Sequence, residues 1–324
     1  MKQELLAANV VLALNRIAPH IRETPLDHSP FFSDLTGANV FLKLENLQFT
    51  GSFKLRGAFN KLLSLTPEQR AGGCVAASSG NHGAAAAFAM SKLGMQGVIF
   101  VPEGTSTTKL KAIKSAGGKL RFFGTDALDT EIHARQYAAD NDLCYLSPYN
   151  DEDVIAGQGT CGVEIAQQLP QLDAIFVAVG GGGLISGVGC FLKSVNPTMS
   201  VVACQPAASA VMTESVKAGK IVELPSQPTL SDGTAGGIEA DAITFDLCRA
   251  VTDDYVLVSE DQIAEAMRQF IDAHHLLPEG AAGVALGGLN LRADKHKGKN
   301  VVVIICGGNI SRKTLQEVIQ ESAR

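Results

Sequence analysis

The sequence contains no tryptophan, and aromatic residues make up only 6% of its 324 residues. Charged residues are also modest at 19%, and 27 Lys and Arg against 33 Asp and Glu give a net charge of −6. A mildly acidic chain without a basic block argues against nucleic acid or an anionic membrane as its main partner. Apolar residues make up 46%, which excludes a disordered, collagen-like or coiled-coil chain.

Paired cysteine motifs are missing as well. The seven cysteines are scattered and none forms a C-x-x-C pair, which argues against a disulfide framework or a zinc knuckle. The first residues lack the continuous apolar run of a signal peptide. The long uncharged stretch 174–192 contains six glycines and is typical of a strand, a turn and a helix rather than of a membrane span. These absences predict a reduced, cytoplasmic location.

Glycine, in contrast, is abundant at 33 residues, about one in ten, and the excess lies in short clusters. Short apolar runs alternate with helical patterns along the chain, and such alternation predicts an α/β fold with parallel sheets covered on both faces. The predicted strands span residues 40–44, 74–77, 98–101, 120–123, 175–179, 201–204, 255–258 and 301–305.

The helical patterns carry their own start signals. After an N-terminal helix, residues 83–93 form an Ala-rich pattern, and residues 126–140 begin with Asp126, which can cap a helix. Ser259 and Gln262 have the spacing of a capping box. Each pattern follows a predicted strand, as the α/β interpretation requires.

Two proline-containing segments, 65–68 and 146–149, are candidate hinges between domains. At ~100–200 residues per domain, a chain of this length predicts two domains. We expect a discontinuous large domain of residues 1–67 and 148–324, and a small mobile domain of residues 68–147.

Four consecutive glycines follow the predicted strand 175–179 directly and precede a helix that starts near Leu184. Their backbone N–H groups could bind a phosphate at the helix N-terminus, although the run could equally be a tight turn. The absence of G-K-[ST] excludes a Walker A loop. Ser186 stands where a dinucleotide motif needs its third glycine, so a phosphate without a dinucleotide fits better.

A second segment places Lys54 in the first turn of a helix for which Ser52 is the predicted cap. A lone lysine here could simply be solvated. Apolar neighbours such as Phe53 and Leu55 would instead disfavour its charged form and make the amine a nucleophile toward an aldehyde.

Two further turns follow predicted strands. Residues 78–83, with the sequence S-S-G-N-H-G, could bind a substrate carboxylate at a helix N-terminus or form only a capped turn. His82 alone could be structural. Cys306 and the glycines after it form a buried thiol and a turn. The sequence contains no G-x-S-x-G elbow and no metal-spaced His/Cys cluster.

Together and in this order, these segments resemble the fold-type II pyridoxal-phosphate enzymes, most closely the threonine/serine dehydratase and serine racemase branch. The resemblance extends from Thr24 to Asn309. Besides the four segments it includes K-L-E-N at 43–46, I-A-G-Q-G-T at 155–160 and E-G-A-A-G at 279–283. It implies two open, mostly parallel sheets with the cofactor in the cleft between a large and a small domain.

The resemblance also implies site roles. Lys54 would bind pyridoxal phosphate covalently and move protons on one face, and Ser79 matches the racemase base on the opposite face. Glu279 would lie near the cofactor ring and Cys306 would face the pyridine nitrogen. The remaining cofactor contacts would be Phe53, Asn81, Gly180, Gly181, Gly182, Gly183 and Leu184, and the substrate carboxylate would contact Ser78, Ser79, Asn81 and His82.

The reaction that the resemblance implies is β-elimination of water from L-threonine or L-serine, giving a 2-oxo acid and ammonia. A neutral Cys306 beside the ring nitrogen agrees with elimination rather than transamination, because a weak electron sink favours prompt loss of the β-hydroxyl. Serine racemase with side dehydratase activity is the alternative, and a non-catalytic pyridoxal-phosphate-binding protein is an alternative of another class. The family implies a homodimer or homotetramer.

No metal is expected. Serine racemases resembling this chain hold a divalent cation with carboxylates where Gln205 and Val211 stand here, and these offer a hard cation only one neutral oxygen. Tyr149 stands near a position that dehydratases give to an aromatic, although Asn150 could align there instead. Both departures favour dehydration over racemisation. The chain stops soon after the last motif, so feedback inhibition by isoleucine is not expected.

Overall fold

The strands of the protein form two separate sheets in a computed structural model that describes residues 3–125, 127–225 and 227–320. One sheet has six strands in the order β1-β2-β10-β7-β8-β9, and the other has four in the order β5-β4-β3-β6. The strands are β1 (Leu26–His28), β2 (Asn39–Lys43), β3 (Cys74–Ala77), β4 (Gly97–Val101), β5 (Leu120–Phe122), β6 (Cys144–Tyr145), β7 (Ala174–Ala178), β8 (Ser200–Pro206), β9 (Asp254–Val258) and β10 (Asn300–Ile304).

All strand pairs are parallel except β1 with β2. The eight predicted strands are all present with small shifts at their ends, and the α/β prediction is confirmed. Strands β1 and β6 were not predicted, because runs of three and two residues carry no periodic apolar signal.

Helices follow most strands and cover both sheets. They are α1 (Gln3–Ile17), α2 (Pro30–Thr36), α3 (Lys54–Ser64), α4 (Pro67–Gly72), α5 (Asn81–Lys92), α6 (Thr107–Ser115), α7 (Ala127–Asp140), α8 (Glu152–Gln168), α9 (Gly183–Val195), α10 (Val211–Ala218), α11 (Ile243–Val251), α12 (Glu260–His274), α13 (Gly280–Arg292) and α14 (Arg312–Gln320). Among the described residues, no helix has the length and apolar composition needed to cross a membrane.

The predicted helix starts are confirmed in part. Ser259 and Gln262 form the expected reciprocal capping box at α12, whereas the Asp126 cap lies outside the described residues. The Ser52 cap is wrong. Helix α3 begins at Lys54 after a Phe53 in helical conformation, because the backbone of Ser52 pairs with Gly307 and the Phe53 N–H donates to the Cys306 carbonyl (3.1 Å).

Helix α8 joins the two apolar cores. Its residue Val154 packs into the core between α3, α5 and one face of the four-stranded sheet, and Ile155 packs into the core of the six-stranded sheet. The opposite face of the four-stranded sheet packs on α7 through Val75, Phe100 and Ala134. Strands β3 to β6 fall within residues 68–147, but the division into a fixed and a mobile domain stays a prediction.

Candidate active site

The four predicted segments meet where strands β3, β7 and β10 end. Asn309, after β10, donates from Nδ2 to Oδ1 of Asn81 at the start of α5 (2.7 Å). The bridge between Ser52 and Gly307 brings the start of α3 to the same place. The glycine run lies against Tyr149, next to Pro148, whose carbonyl binds Lys54. The structure thus gathers motifs from distant parts of the chain into one site.

Lys54 is the first residue of α3 and is half-buried. Its Nζ donates to the Pro148 carbonyl (2.8 Å) and lies 5.2 Å from the centre of the Phe53 ring. Burial lowers the pKa of Lys54 to about 8, although Glu279 opposes the shift. About a tenth of this amine is therefore uncharged at pH 7, far more than for an ordinary lysine, and the uncharged form is what a nucleophile or base requires.

The glycine run supplies free backbone donors at the N-terminus of α9. In the described part of the chain, no group accepts a hydrogen bond from the amides of residues 180–184, although Gly182, Gly183 and Leu184 are buried. Gly182 has φ +85°, a conformation that favours glycine. Buried N–H groups need a partner, so five adjacent donors at a helix N-terminus form a cradle for an anion.

A second set of free donors lies at the start of α5. The Gly80 N–H donates to Ser78 Oγ (3.1 Å), which closes the turn. The amides of Ser79, Asn81, His82 and Gly83 have no acceptor among residues that the structure describes. Ser79 itself is half-buried, and its hydroxyl makes no hydrogen bond within the same residues. This turn can therefore bind a small carboxylate.

The Nε2 atom of His82 is hydrogen-bonded, whereas Nδ1 has no partner among the described residues. Its Nε2 lies 2.8 Å from the Leu146 carbonyl and donates to it, and the ring is buried. Burial, together with the charge of Lys54, lowers the pKa of His82 to about 3, so the imidazole is neutral. This hydrogen bond links the turn at the start of α5 to the segment after β6. The His82 group that can donate a hydrogen bond to a carboxylate is therefore its backbone amide.

The carboxylate of Glu279 contacts both Asn81 and Asn309 in the candidate active site. Its carboxylate accepts two hydrogen bonds from Asn81 Nδ2 (2.8 and 2.9 Å) and one from the Asn309 N–H (3.3 Å). Burial raises the pKa of Glu279 to about 7, against these hydrogen bonds and Lys54. A Cβ at Gly307 would lie 2.6 Å from the carboxyl group, so glycine is needed there. Burial also raises the pKa of the Cys306 thiol, which stays neutral.

Behind α3 lies a buried ionic network to which the sequence analysis assigned no role. Arg56 pairs with Glu45 (2.8 Å) and Glu164 (2.6 Å), and Lys43 pairs with Glu164 (2.6 Å). All four side chains are at most 3% exposed. Three of them lie in motifs quoted for the family resemblance. Glu164 lies outside those motifs, and the available signal was its position as the one charged residue in the stretch 154–168 of α8.

Glycines set the spacing around α8, which lies between the helix of Lys54 and the helix of the glycine run. A Cβ at Gly157 would lie 2.6 Å from the Arg56 carbonyl, and one at Gly159 would lie 2.9 Å from the Gly187 carbonyl. Side chains at these positions would push α3 and α9 away from α8. Glycines in the motif at 155–160 therefore set how closely α3 and α9 pack on α8.

Gln205, which aligns with a cation ligand of serine racemases, already forms hydrogen bonds with another residue. Gln205 Oε1 accepts hydrogen bonds from the N–H and the hydroxyl of Thr213 (2.7 and 2.6 Å). Val211 begins α10. Within residues 3–125, 127–225 and 227–320, no group of three or more His, Cys, Asp or Glu could hold a metal ion.

Tyr149 and Asn150, the two residues that could align with the aromatic position of dehydratases, have different surroundings. The Tyr149 ring lies against the glycine run, where a Cβ at Gly181 would be 2.4 Å from a ring carbon. Its hydroxyl accepts from the Glu239 N–H (2.9 Å). Asn150 instead donates to the Glu239 carboxylate (2.7 Å) and accepts from the Ile243 N–H (3.0 Å). The aromatic residue is thus the one in contact with the anion cradle.

Comparison with known proteins agrees with this site. The family described as "Pyridoxal-phosphate dependent enzyme" matches residues 17–307. A Staphylococcus aureus protein named "L-threonine dehydratase catabolic TdcB" is 37% identical over 308 residues, which cover 94% of this chain and 89% of the relative.

Solved structures give the same result. The processed form of threonine deaminase isoform 2 from Solanum lycopersicum superposes with a TM-score of 0.94 at 33% identity, covering 100% of this chain and 95% of the other. Maize serine racemase superposes with a TM-score of 0.90 at 30% identity, covering 97% of both chains. The chain therefore belongs to the family of pyridoxal-phosphate dependent enzymes, with the fold-type II architecture.

Proposed function

We propose that the protein catalyses the pyridoxal-phosphate-dependent β-elimination of water from L-threonine or L-serine, which yields a 2-oxo acid and ammonia. The observation that carries the proposal is the convergence of a partly uncharged Lys54 amine with two sets of free backbone amides. The relatives named as threonine dehydratase and threonine deaminase support the same reaction.

The residues fit the cofactor. Five free amides, at Gly180, Gly181, Gly182, Gly183 and Leu184, suit a phosphate group. Lys54 would hold the cofactor covalently beside Phe53, and Cys306 would face the pyridine nitrogen with a neutral thiol. Asn81, now bound to Glu279 and Asn309, would form a hydrogen bond with the ring hydroxyl. When bound, pyridoxal phosphate stabilises the electron pair left at the substrate Cα when its proton is lost.

The chain's own groups would orient the substrate and move the proton. The free amides of Ser79, Asn81 and His82, with the hydroxyls of Ser78 and Ser79, would bind the carboxylate and fix the direction of the Cα–H bond. The Lys54 amine would take the Cα proton, and the Pro148 carbonyl would then accept a hydrogen bond from the resulting ammonium. The β-hydroxyl would then leave with a proton as water, and hydrolysis of the product would give the 2-oxo acid and ammonia.

Racemisation of serine is the second candidate, because the Ser79 hydroxyl makes no hydrogen bond among described residues and is half-buried. A base on the opposite face would return a proton to that side. The similarity to maize serine racemase agrees with this possibility.

We predict that 2-oxo acid formation exceeds D-serine formation, and that chelators or added magnesium change the rate little, because Gln205 is bound to Thr213. Keto-acid assay and chiral chromatography on a panel of β-hydroxy amino acids would measure both products. D-serine as the main product, or activity that a chelator removes and magnesium restores, would contradict the proposal.

Substituting Gly181 with valine should weaken cofactor affinity by at least about tenfold, or 1.4 kcal/mol, because the side chain would enter the space of the Tyr149 ring over the amide cradle. Gly189→Ala is the matched control on α9, since its Cβ would lie 2.8 Å from Val251, away from the cradle. Fluorescence titration with pyridoxal phosphate and chemical denaturation of both apoproteins separate affinity from stability. Equal losses of both in Gly181→Val would favour a purely structural turn.

We further propose that residues 68–147 form a small mobile domain on the large domain of 1–67 and 148–324. Two ion pairs join the two parts at the site: Arg135 with Glu239 (2.8 Å) and Lys109 with Asp232 (3.1 Å). Both ion pairs are at least partly exposed, so breaking them costs little free energy. We also propose that the protein is a homodimer or homotetramer. We propose a cytoplasmic location as well, which the free state of the cysteines supports.

A further inference from the structure

Two cysteines outside the active site lie opposite each other in the four-stranded sheet. Cys74 on β3 and Cys144 on β6 are direct partners in the parallel register. The Cys144 N–H donates to the Gly73 carbonyl (3.1 Å), which fixes the alignment. Neighbouring strands lie about 4.8 Å apart, within the ~4.4–6.8 Å range of Cα separations that a disulfide allows.

Both thiols are on the same face of the sheet. Cys74 and Cys144 pack into the core formed with α3 and α5, whereas their neighbours Val75 and Tyr145 pack on the opposite face with α7. Strand β6 is at the sheet edge. Cys144 is half-buried and Cys74 is fully buried, so a solvent-borne reagent reaches Cys144 first.

The charges around the pair differ for the two sulfurs. Interaction with Cys144, and then burial, raise the pKa of Cys74. Interaction with Cys74 lowers the pKa of Cys144, and the Lys61 ammonium adds to this effect, while burial, Asp151 and Asp153 oppose it. Cys144 is therefore the better thiolate, and Cys74 is a protonated thiol placed beside it.

We propose that Cys74 and Cys144 are a redox modification site that hydrogen peroxide converts to a reversible disulfide. The Cys144 thiolate attacks the peroxide, an S–O bond forms, the O–O bond breaks and water leaves after protonation. The Cys74 sulfur then attacks the Cys144 sulfenic acid, an S–S bond forms, the S–O bond breaks, and the hydroxide leaves as water with the Cys74 proton. Two thiols are oxidised as one peroxide is reduced to water.

The modification would act on the active site through the segment that follows β6. The Leu146 carbonyl there binds His82, and the Pro148 carbonyl binds Lys54. A disulfide brings the two Cβ atoms to about 3.5–4.5 Å, which pulls the edge strand toward β3 and displaces these carbonyls. Oxidised enzyme should therefore turn over more slowly than reduced enzyme.

The test treats the reduced holoenzyme with hydrogen peroxide, blocks free thiols and maps peptides without reduction. We expect a peptide pair linked through Cys74 and Cys144, an intact mass lower by two hydrogen atoms, and a loss of kcat that dithiothreitol restores. Cys144→Ser should abolish both the link and the reversible loss of kcat. Cys161→Ser is the control, because this buried thiol lies outside the pair and its loss should leave the link intact.

Any of three results would overturn the proposal: a disulfide between other cysteines, Cys144 oxidised to sulfonic acid without a link, or a Cys74–Cys144 link that leaves kcat unchanged. The mass and peptide readouts need no turnover, so they hold if the proposed reaction is wrong. The kcat of untreated enzyme on threonine and serine tests that reaction separately.

Discussion

Replacing Lys54 with alanine should abolish measurable turnover, a loss of at least about a thousandfold, together with covalent attachment of pyridoxal phosphate. In the proposed reaction this amine holds the cofactor and takes the Cα proton, so a single change would remove two functions. Its Nζ makes one hydrogen bond, to the Pro148 carbonyl, and the side chain is half-buried. We therefore expect the fold to survive.

Borohydride reduction followed by peptide mapping identifies the attached lysine, and a keto-acid assay measures turnover. Lys61→Ala is a suitable control, because Lys61 lies two turns further along α3 and forms ion pairs with Asp151 and Asp153 away from the site. Circular dichroism of both variants checks the fold. Attachment at another lysine, or normal turnover in Lys54→Ala, would overturn the central assignment.

The sequence was sufficient where structure depends on local chemistry. Apolar runs located the core strands, because strands covered on both faces must be apolar throughout. The capping box at Ser259 was also predicted correctly, because its hydrogen bonds join residues only three positions apart. The Ser52 cap was wrong because a partner 255 positions away in the chain, Gly307, takes its backbone into a β-bridge.

The same limit applies to the site. The motifs identified Lys54, Asn81 and Glu279 one by one, but not that Asn81 binds Glu279, 198 residues away in sequence. Nor did a turn sequence indicate that the His82 ring would bind the Leu146 carbonyl, because β6 has only two residues and was not predicted. Contacts of this kind depend on tertiary packing, and a periodic sequence pattern does not predict them.

The second large effect concerns stability. Replacing Glu164 with glutamine should lower the free energy of unfolding by about 3–5 kcal/mol, the usual result of removing one partner from a buried ion pair. Lys43, Glu45, Arg56 and Glu164 together carry no net charge, and each is buried. Without Glu164 the network keeps one uncompensated positive charge, because Glu45 alone faces both cations. Asp246→Asn, in an exposed pair with Arg249, should cost at most about 1 kcal/mol.

A double variant makes the charge argument independent of simple misfolding. Lys43→Met together with Glu164→Gln restores neutrality and leaves the Arg56–Glu45 pair intact, so it should be more stable than Glu164→Gln alone. Urea denaturation of the apoproteins measures the wild type, the single variants Lys43→Met and Glu164→Gln, the double variant and the Asp246→Asn control. A double variant whose loss equals the sum of the single losses would mean that the residues act independently. Because Arg56 lies two residues after Lys54, weaker cofactor binding in Glu164→Gln, recovered in the double variant, would show that neutrality of the network holds the start of α3 in place.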